Sequence, residues 1–91
     1  MNTAIVFIST AVDQVSEVAD RVATMPEVTE VYSVTGAMDL IAIVRTREID
    51  RIADVVTGGI NKVPGVTGTT THLAFRAYSS HDLEAAFSLG E

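Results

Sequence analysis

Few residues in this chain have types and spacing suited to chemistry. The most suggestive is Asp39, three residues after Gly36. A carboxylate there, beside the backbone N–H groups of Thr35, Gly36, Ala37 and Met38, could hold a small polar ligand, because amides gathered at a turn form an anion-binding concavity. The same spacing suits an ordinary turn, in which Asp bonds locally. Thr67, Thr69, Thr70 and Thr71 surround Gly68 and could line a pocket with hydroxyls. They also fit the plain strand preference of β-branched side chains.

His72 and His81 are the only imidazoles, and there is no cysteine. A metal would then need carboxylate ligands whose positions nothing fixes, so no metal is expected. His72 shares one side of a strand with Thr70 and Arg76 and reads as an interface residue. Ser80-His81-Asp82 contains triad residue types, but three consecutive residues cannot converge on one reacting atom. That run reads better as a helix cap with an acid in the first turn. Tyr32 and Tyr78 have no evident base beside them, and the sequence holds neither a glycine-rich phosphate loop nor a nucleophile elbow. The expectation is a protein that binds, with no catalytic residue and no cofactor.

The composition narrows the partners. The chain has 91 residues, 6 Lys+Arg against 12 Asp+Glu, and a formal net charge of -6. So few basic residues leave no footprint for a phosphate backbone, and no direct nucleic-acid contact is expected. A hydrophobic fraction of 47% is too high for a disordered acidic segment. Surface scaling lets a chain of this size bury about 64% of its unfolded surface, enough for one core, so residues 1–91 are read as one domain. No apolar run approaches a membrane span and no leader pattern is present, so no membrane contact and a cytoplasmic location are expected.

The elements that must carry these residues alternate in period. Residues 3–9 form a β-branched and aromatic run of strand length. Val15, Val18, Ala19, Val22 and Met25 then recur at helical spacing, with Asp13 as a candidate N-cap and Pro26 as the stop. Residues 28–35 and 39–46 read as strands joined through Gly36-Ala37-Met38, the chemistry of an antiparallel hairpin. A second helix spans about residues 48–62, with Ile49, Ile52, Ala53, Val56 and Ile60 as its apolar positions. A fourth strand runs from Val66 to about Tyr78. Residues 81–91, carrying Leu83, Ala86 and Phe87, read as a C-terminal helical extension.

The sequence also repeats. A shift of 38 residues lays Ala4-Ile5-Val6 on Ala42-Ile43-Val44, Val18 on Val56, Pro26 on Pro64, and Val28-Thr29 on Val66-Thr67. Each half is strand–helix–strand, and two such halves make a ferredoxin-like βαββαβ fold of the α+β class. Its four-stranded antiparallel sheet carries both helices on one face. The strands at 3–9 and 39–46 are apolar on both faces, whereas a sheet with one solvated face alternates. The open face is therefore expected to pack against a second copy, most simply as a homodimer about a two-fold axis.

The run from Met25 through Pro26, Val31-Tyr32-Ser33-Val34-Thr35-Gly36 and Asp39-Leu40, followed by Val63-Pro64-Gly65-Val66 and Thr71, resembles the effector-binding domain of the Lrp/AsnC family, also called the RAM domain. The resemblance spans residues 1 to about 78. It implies a protomer that dimerises through its sheet and assembles into higher oligomers, with small effectors, commonly amino acids, bound between dimers. It further implies that Thr35, Gly36, Ala37, Met38 and Asp39 form one wall of the site, amides taking the effector carboxylate and Asp39 its ammonium. Thr70 and Thr71 would contribute from the fourth strand. Family members usually carry an N-terminal helix-turn-helix, whereas this sequence opens on the first strand. It thus resembles the stand-alone form, expected to modulate transcription or metabolism through partners such as full-length Lrp/AsnC-type regulators. The family often places an acidic and an aromatic residue between the Gly and the Asp, where this chain has Ala37-Met38. Two other classes stay open: a small dimeric α/β-barrel enzyme using His72 or Tyr78, and a purely structural oligomerisation module.

Overall fold

The computed structural model describes residues 1–80. The elements are β1 (Asn2–Thr10), α1 (Val15–Ala23), β2 (Val28–Ser33), β3 (Leu40–Thr46), α2 (Ile49–Gly58), a 3₁₀ turn (Ile60–Lys62) and β4 (Val66–Ala74). The four strands form one antiparallel sheet in the order β2-β3-β1-β4, the ferredoxin-like arrangement. The C-terminal extension at 81–91 lies outside the described residues.

Strand periodicity sorts the core. Ala4, Val6 and Ile8 of β1 and Leu40, Ala42 and Val44 of β3 all have 0% exposure beneath the helices. Their alternates Ile5, Phe7, Ile41 and Ile43 face the other way and are half-buried. From α1, Val18 and Val22 enter the core; from α2, Ile52, Val55 and Val56 do, joined by Ile60 from the 3₁₀ turn. Burial on this scale stabilises each large aliphatic side chain by about 1.5–3 kcal/mol.

The 38-residue repeat is visible as geometry. Ile5 pairs directly with Ile43, its own counterpart in the repeat, with Ala4↔Val44 and Val6↔Ala42 on either side. A pseudo-two-fold axis therefore passes through the centre of the β1–β3 ladder. The outer strands break that symmetry. β2 places Val31 beside Ala42, which by the repeat would set Thr69 beside Ala4. Instead Thr69 pairs with Ile8 and Leu73 with Ala4, so β4 has slid along β1 by an even number of residues, and its faces are preserved.

Four expectations need correction. Asp13 does not cap α1; the cap position is Gln14, with no side-chain bond. The second helix stops at Gly58 and tightens into the 3₁₀ turn, a path that requires glycine at 59, where any Cβ would lie 2.5 Å from the Val55 carbonyl oxygen. The stripe of α2 that enters the core uses Val55, while Ala53 is exposed and Ile49 is 54% exposed. β4 ends at Ala74, and Phe75 and Tyr78 beyond it are 98% and 86% exposed. The β1–β4 ladder ends at the pair Thr3↔Ala74.

Candidate functional site

The β2–β3 hairpin is pinned to the end of β1 by three bonds converging on Asp39. Its N–H donates to the Ile8 carbonyl at 3.1 Å, and its own carbonyl accepts from the Val34 N–H at 3.0 Å. Its side chain completes the tie, with Oδ2 accepting the Thr10 N–H at 2.8 Å. The cause is a length mismatch. β1 continues to Thr10, beyond its last pair with β3 at Ile8↔Leu40, and the β1–β4 register shifts at Ser9/Thr10. The carboxylate takes the place of the missing strand. Thr10 is 9% exposed, so its N–H needs that acceptor.

One Asp39 oxygen is engaged in this way, while the residue stays part-exposed. Beside it, Thr35, Gly36 and Ala37 are exposed and Met38 is half-buried, with the Ser9 hydroxyl donating weakly to its sulfur at 3.6 Å. Among the described residues, none of the four N–H groups from Thr35 to Met38 donates to a protein acceptor. Gly36 has φ +107°, a left-handed conformation that glycine adopts without strain and that turns the loop back into β3. The loop thus offers a row of free donors next to a carboxylate held on a rigid strand end, which suits a ligand carrying both an anionic and a cationic group.

The strand-four residues are divided by the sheet. Thr70 pairs with Phe7, which also pairs with Ile41, so Thr70 shares the open face with both and stands two strands, about 10 Å, from Ile41. Thr71 pairs with Val6 and points to the helix side. There it lines a groove of about 380 Å³ with Ile49, Ile52, Ala53, Val56 and Leu73. Within one protomer, then, the structure groups Thr35 to Asp39, leaves Thr70 two strands away on the open face, and puts Thr71 on the opposite face. Thr69, also on the helix side, donates its hydroxyl to Asn61 Oδ1 at 2.6 Å. Thr10, which anchors Asp39, was missed because nothing local in the sequence marks a backbone donor 29 residues away in the chain.

His72 sits on the open face with its ring edge-on to Phe7, centroids 5.2 Å apart at 87°. The helix-side groove is lined by its neighbours Thr71 and Leu73, so the imidazole faces away from it. Tyr32 donates its hydroxyl to Glu30, which pushes the phenol up from its usual range. His81 lies outside the described residues. Among the described residues no three His, Cys, Asp or Glu side chains gather in a way that could hold a metal ion. No helix there is long and apolar enough to cross a membrane.

Comparison with known proteins gives the family and the fold. A family model described as the Lrp/AsnC ligand binding domain matches residues 3–83. The chain belongs to the Lrp/AsnC ligand-binding domain family. This Lrp/AsnC domain is 32% identical over 78 residues to the HTH-type transcriptional regulator FL11 of Pyrococcus horikoshii, matching 82% of this chain and 49% of that protein. It therefore spans about half the length of that regulator. The crystal structure of TTHA0845 from Thermus thermophilus superposes with a TM-score of 0.82 at 47% identity, over 87% of this chain and 99% of that one. A regulator of Neisseria meningitidis solved as an L-Met complex has a TM-score of 0.77 at 18% identity, over 86% of this chain and 52% of that one. It shares the fold. The curated relatives this chain matches are named as HTH-type transcriptional regulators.

Proposed function

We propose that this Lrp/AsnC domain senses a small zwitterionic metabolite, an amino acid in the first instance, and passes its occupancy to partner proteins through assembly. The observation that carries the reading is the β2–β3 loop, where the unengaged N–H groups of Thr35 to Met38 stand next to the Asp39 carboxylate. The amides take the ligand carboxylate and the free side of Asp39 takes its ammonium. The L-Met complex of the Neisseria relative supports an amino acid as the ligand class.

Assembly follows from the open face. Ile5, Phe7, Ile41 and Ile43 make a contiguous apolar centre on the uncovered side of the sheet, and a second copy packing sheet on sheet removes it from water. With Thr70 on that face and Thr71 on the other, a site using both with the loop must draw on more than one protomer. Partners include full-length Lrp/AsnC regulators, which co-assemble through the same domain. An enzymatic reading is not favoured by His72, whose ring packs on Phe7 at the open face.

Thermal melts against each of the twenty amino acids test the proposal. A ligand at 100 times its dissociation constant adds about 2.7 kcal/mol to stability. In a domain of this size that raises the melting midpoint by roughly 10–20 °C. If no amino acid shifts the midpoint and none is recovered by mass spectrometry from protein purified under native conditions, the sensor reading fails.

A further inference from the structure

The apolar positions of α2 exceed what the core uses. Ile52, Val55 and Val56 are buried, whereas Ile49 is 54% exposed and Ala53 is exposed on the same side as the 45%-exposed Leu73 of β4. Together they form the groove of about 380 Å³ between α2 and the edge strand β4. A groove of this lining suits an apolar helical stripe.

The sequence of segment 81–91 has the spacing for one. Leu83, Ala86 and Phe87 in segment 81–91 follow the i, i+3, i+4 spacing that places side chains on one helical face. The path out of β4 points away from the groove of its own protomer. Thr3 and Arg45 belong to the open face, since their neighbours Ala4 and Val44 are the buried ones. Phe75, Arg76 and Ala77 line a shallow cleft with Thr3 and Arg45. The chain thus leaves β4 toward the open face, on the side of the sheet opposite to its own groove. Residues 75–80 are all exposed, and residues 75–82 extend up to about 26 Å when stretched, enough to reach a neighbouring molecule.

We propose that segment 81–91 of one copy docks its Leu83–Ala86–Phe87 stripe into the α2–β4 groove of a second copy. The exchanged arm covers Ile49, Ala53 and Leu73 and ties protomers together by a contact separate from the sheet face. The groove it fills is also lined by Thr71, while the Thr35–Asp39 loop lies outside it, so the ligand role of the loop and the docking can each fail alone.

The absence of cysteine makes the test clean. One chain carries Ala53→Cys, on the exposed side of α2, and another carries Ala86→Cys. Co-expressed and oxidised, the two are expected to give a covalent dimer on a non-reducing gel, while each alone gives little. Adding Leu83→Ser and Phe87→Ser to the second chain is expected to lower the yield at least severalfold. No cross-link in the mixture overturns the docking. An unchanged yield after the serine substitutions overturns it as well, because the link would then reflect random collision. A chain bearing both cysteines that closes only on itself at monomer mass overturns the exchange between copies.

Discussion

Replacing Asp39 by asparagine and by alanine separates the two roles its carboxylate is given. One role is structural, with Oδ2 accepting the Thr10 N–H at 2.8 Å. Alanine removes that acceptor and leaves a donor stranded in a residue only 9% exposed, a loss of about 1–3 kcal/mol. For a domain of this size that lowers the melting midpoint by roughly 5–20 °C. Asparagine keeps an oxygen in place but trades a charge-assisted bond for a neutral one of about half the strength, so its loss stays within about 1 kcal/mol. The second role is to hold an effector ammonium, which asparagine cannot do through charge. Losing that contact weakens binding by roughly ten- to a hundredfold, or about 1.5–3 kcal/mol. At a ligand concentration of 100 times the wild-type dissociation constant, the ligand-induced gain falls from about 2.7 kcal/mol to half of that or less. Paired melts of the apo and liganded forms, followed by circular dichroism, read both quantities. An Asp39→Asn domain that keeps the full ligand-induced gain refutes the ammonium role. An Asp39→Ala domain that melts with the wild type refutes the structural one.

Ile43→Arg puts a charge at the centre of the open face beside Ile5, and light scattering should show the assembly falling toward monomer; an unchanged mass would contradict sheet-on-sheet packing. Gly65→Ala should destabilise by more than about 1 kcal/mol, because Gly65 has φ +101° and a Cβ there would lie 2.9 Å from both Gln14 Cβ and Val18 Cγ2. Gly58→Ala, with nothing within 4 Å of the added Cβ, should instead stabilise by about 0.5–1 kcal/mol, so denaturant midpoints moving the same way for both would undo the argument. Arg51 Nε and Nη2 donate to Glu27 Oε2 at 2.9 and 2.7 Å, and this bonding holds the Glu27 carboxyl below its usual range. The contribution of a lowered carboxyl is present above its unfolded value and is lost as the pH falls through the folded one. Arg51→Ala should therefore raise the Glu27 titration midpoint seen by NMR and reduce stability at neutral pH but not in strong acid.

The order of elements was legible from period alone. The β-branched apolar runs of strand length at 3–9 and 39–46, helical spacing from Val15 to Met25, and the glycine-bearing gap at 36–38 each reflect local rules of conformation and side-chain direction. The 38-residue repeat went further, since two strand–helix–strand halves with right-handed crossovers admit few topologies, and Ile5 opposite Ile43 is the direct trace of it. The doubly apolar strands likewise announced the open face. In the candidate site, the residues from Thr35 to Asp39 could be grouped because they are consecutive.

What needed the tertiary structure was every relation between strands distant in sequence. The repeat alone would place Thr69 beside Ala4, but β4 lies further along β1, a choice made by packing across the whole sheet. Thr70 and Thr71 face opposite sides in either register, because the slide is even, but which β1 residues stand beside them depends on it. The tie between Asp39 and Thr10 exists because β1 outruns β3, a mismatch that no local window contains. Nor could helical spacing alone say whether Ala53 or Val55 enters the core, since both lie within the apolar arc of α2 and only contact with the sheet selects the rotation. Local sequence determined what each segment is, because period and turn chemistry act over a few residues. Register, overhang and helix rotation are properties of pairs of segments, and only the folded packing decided them.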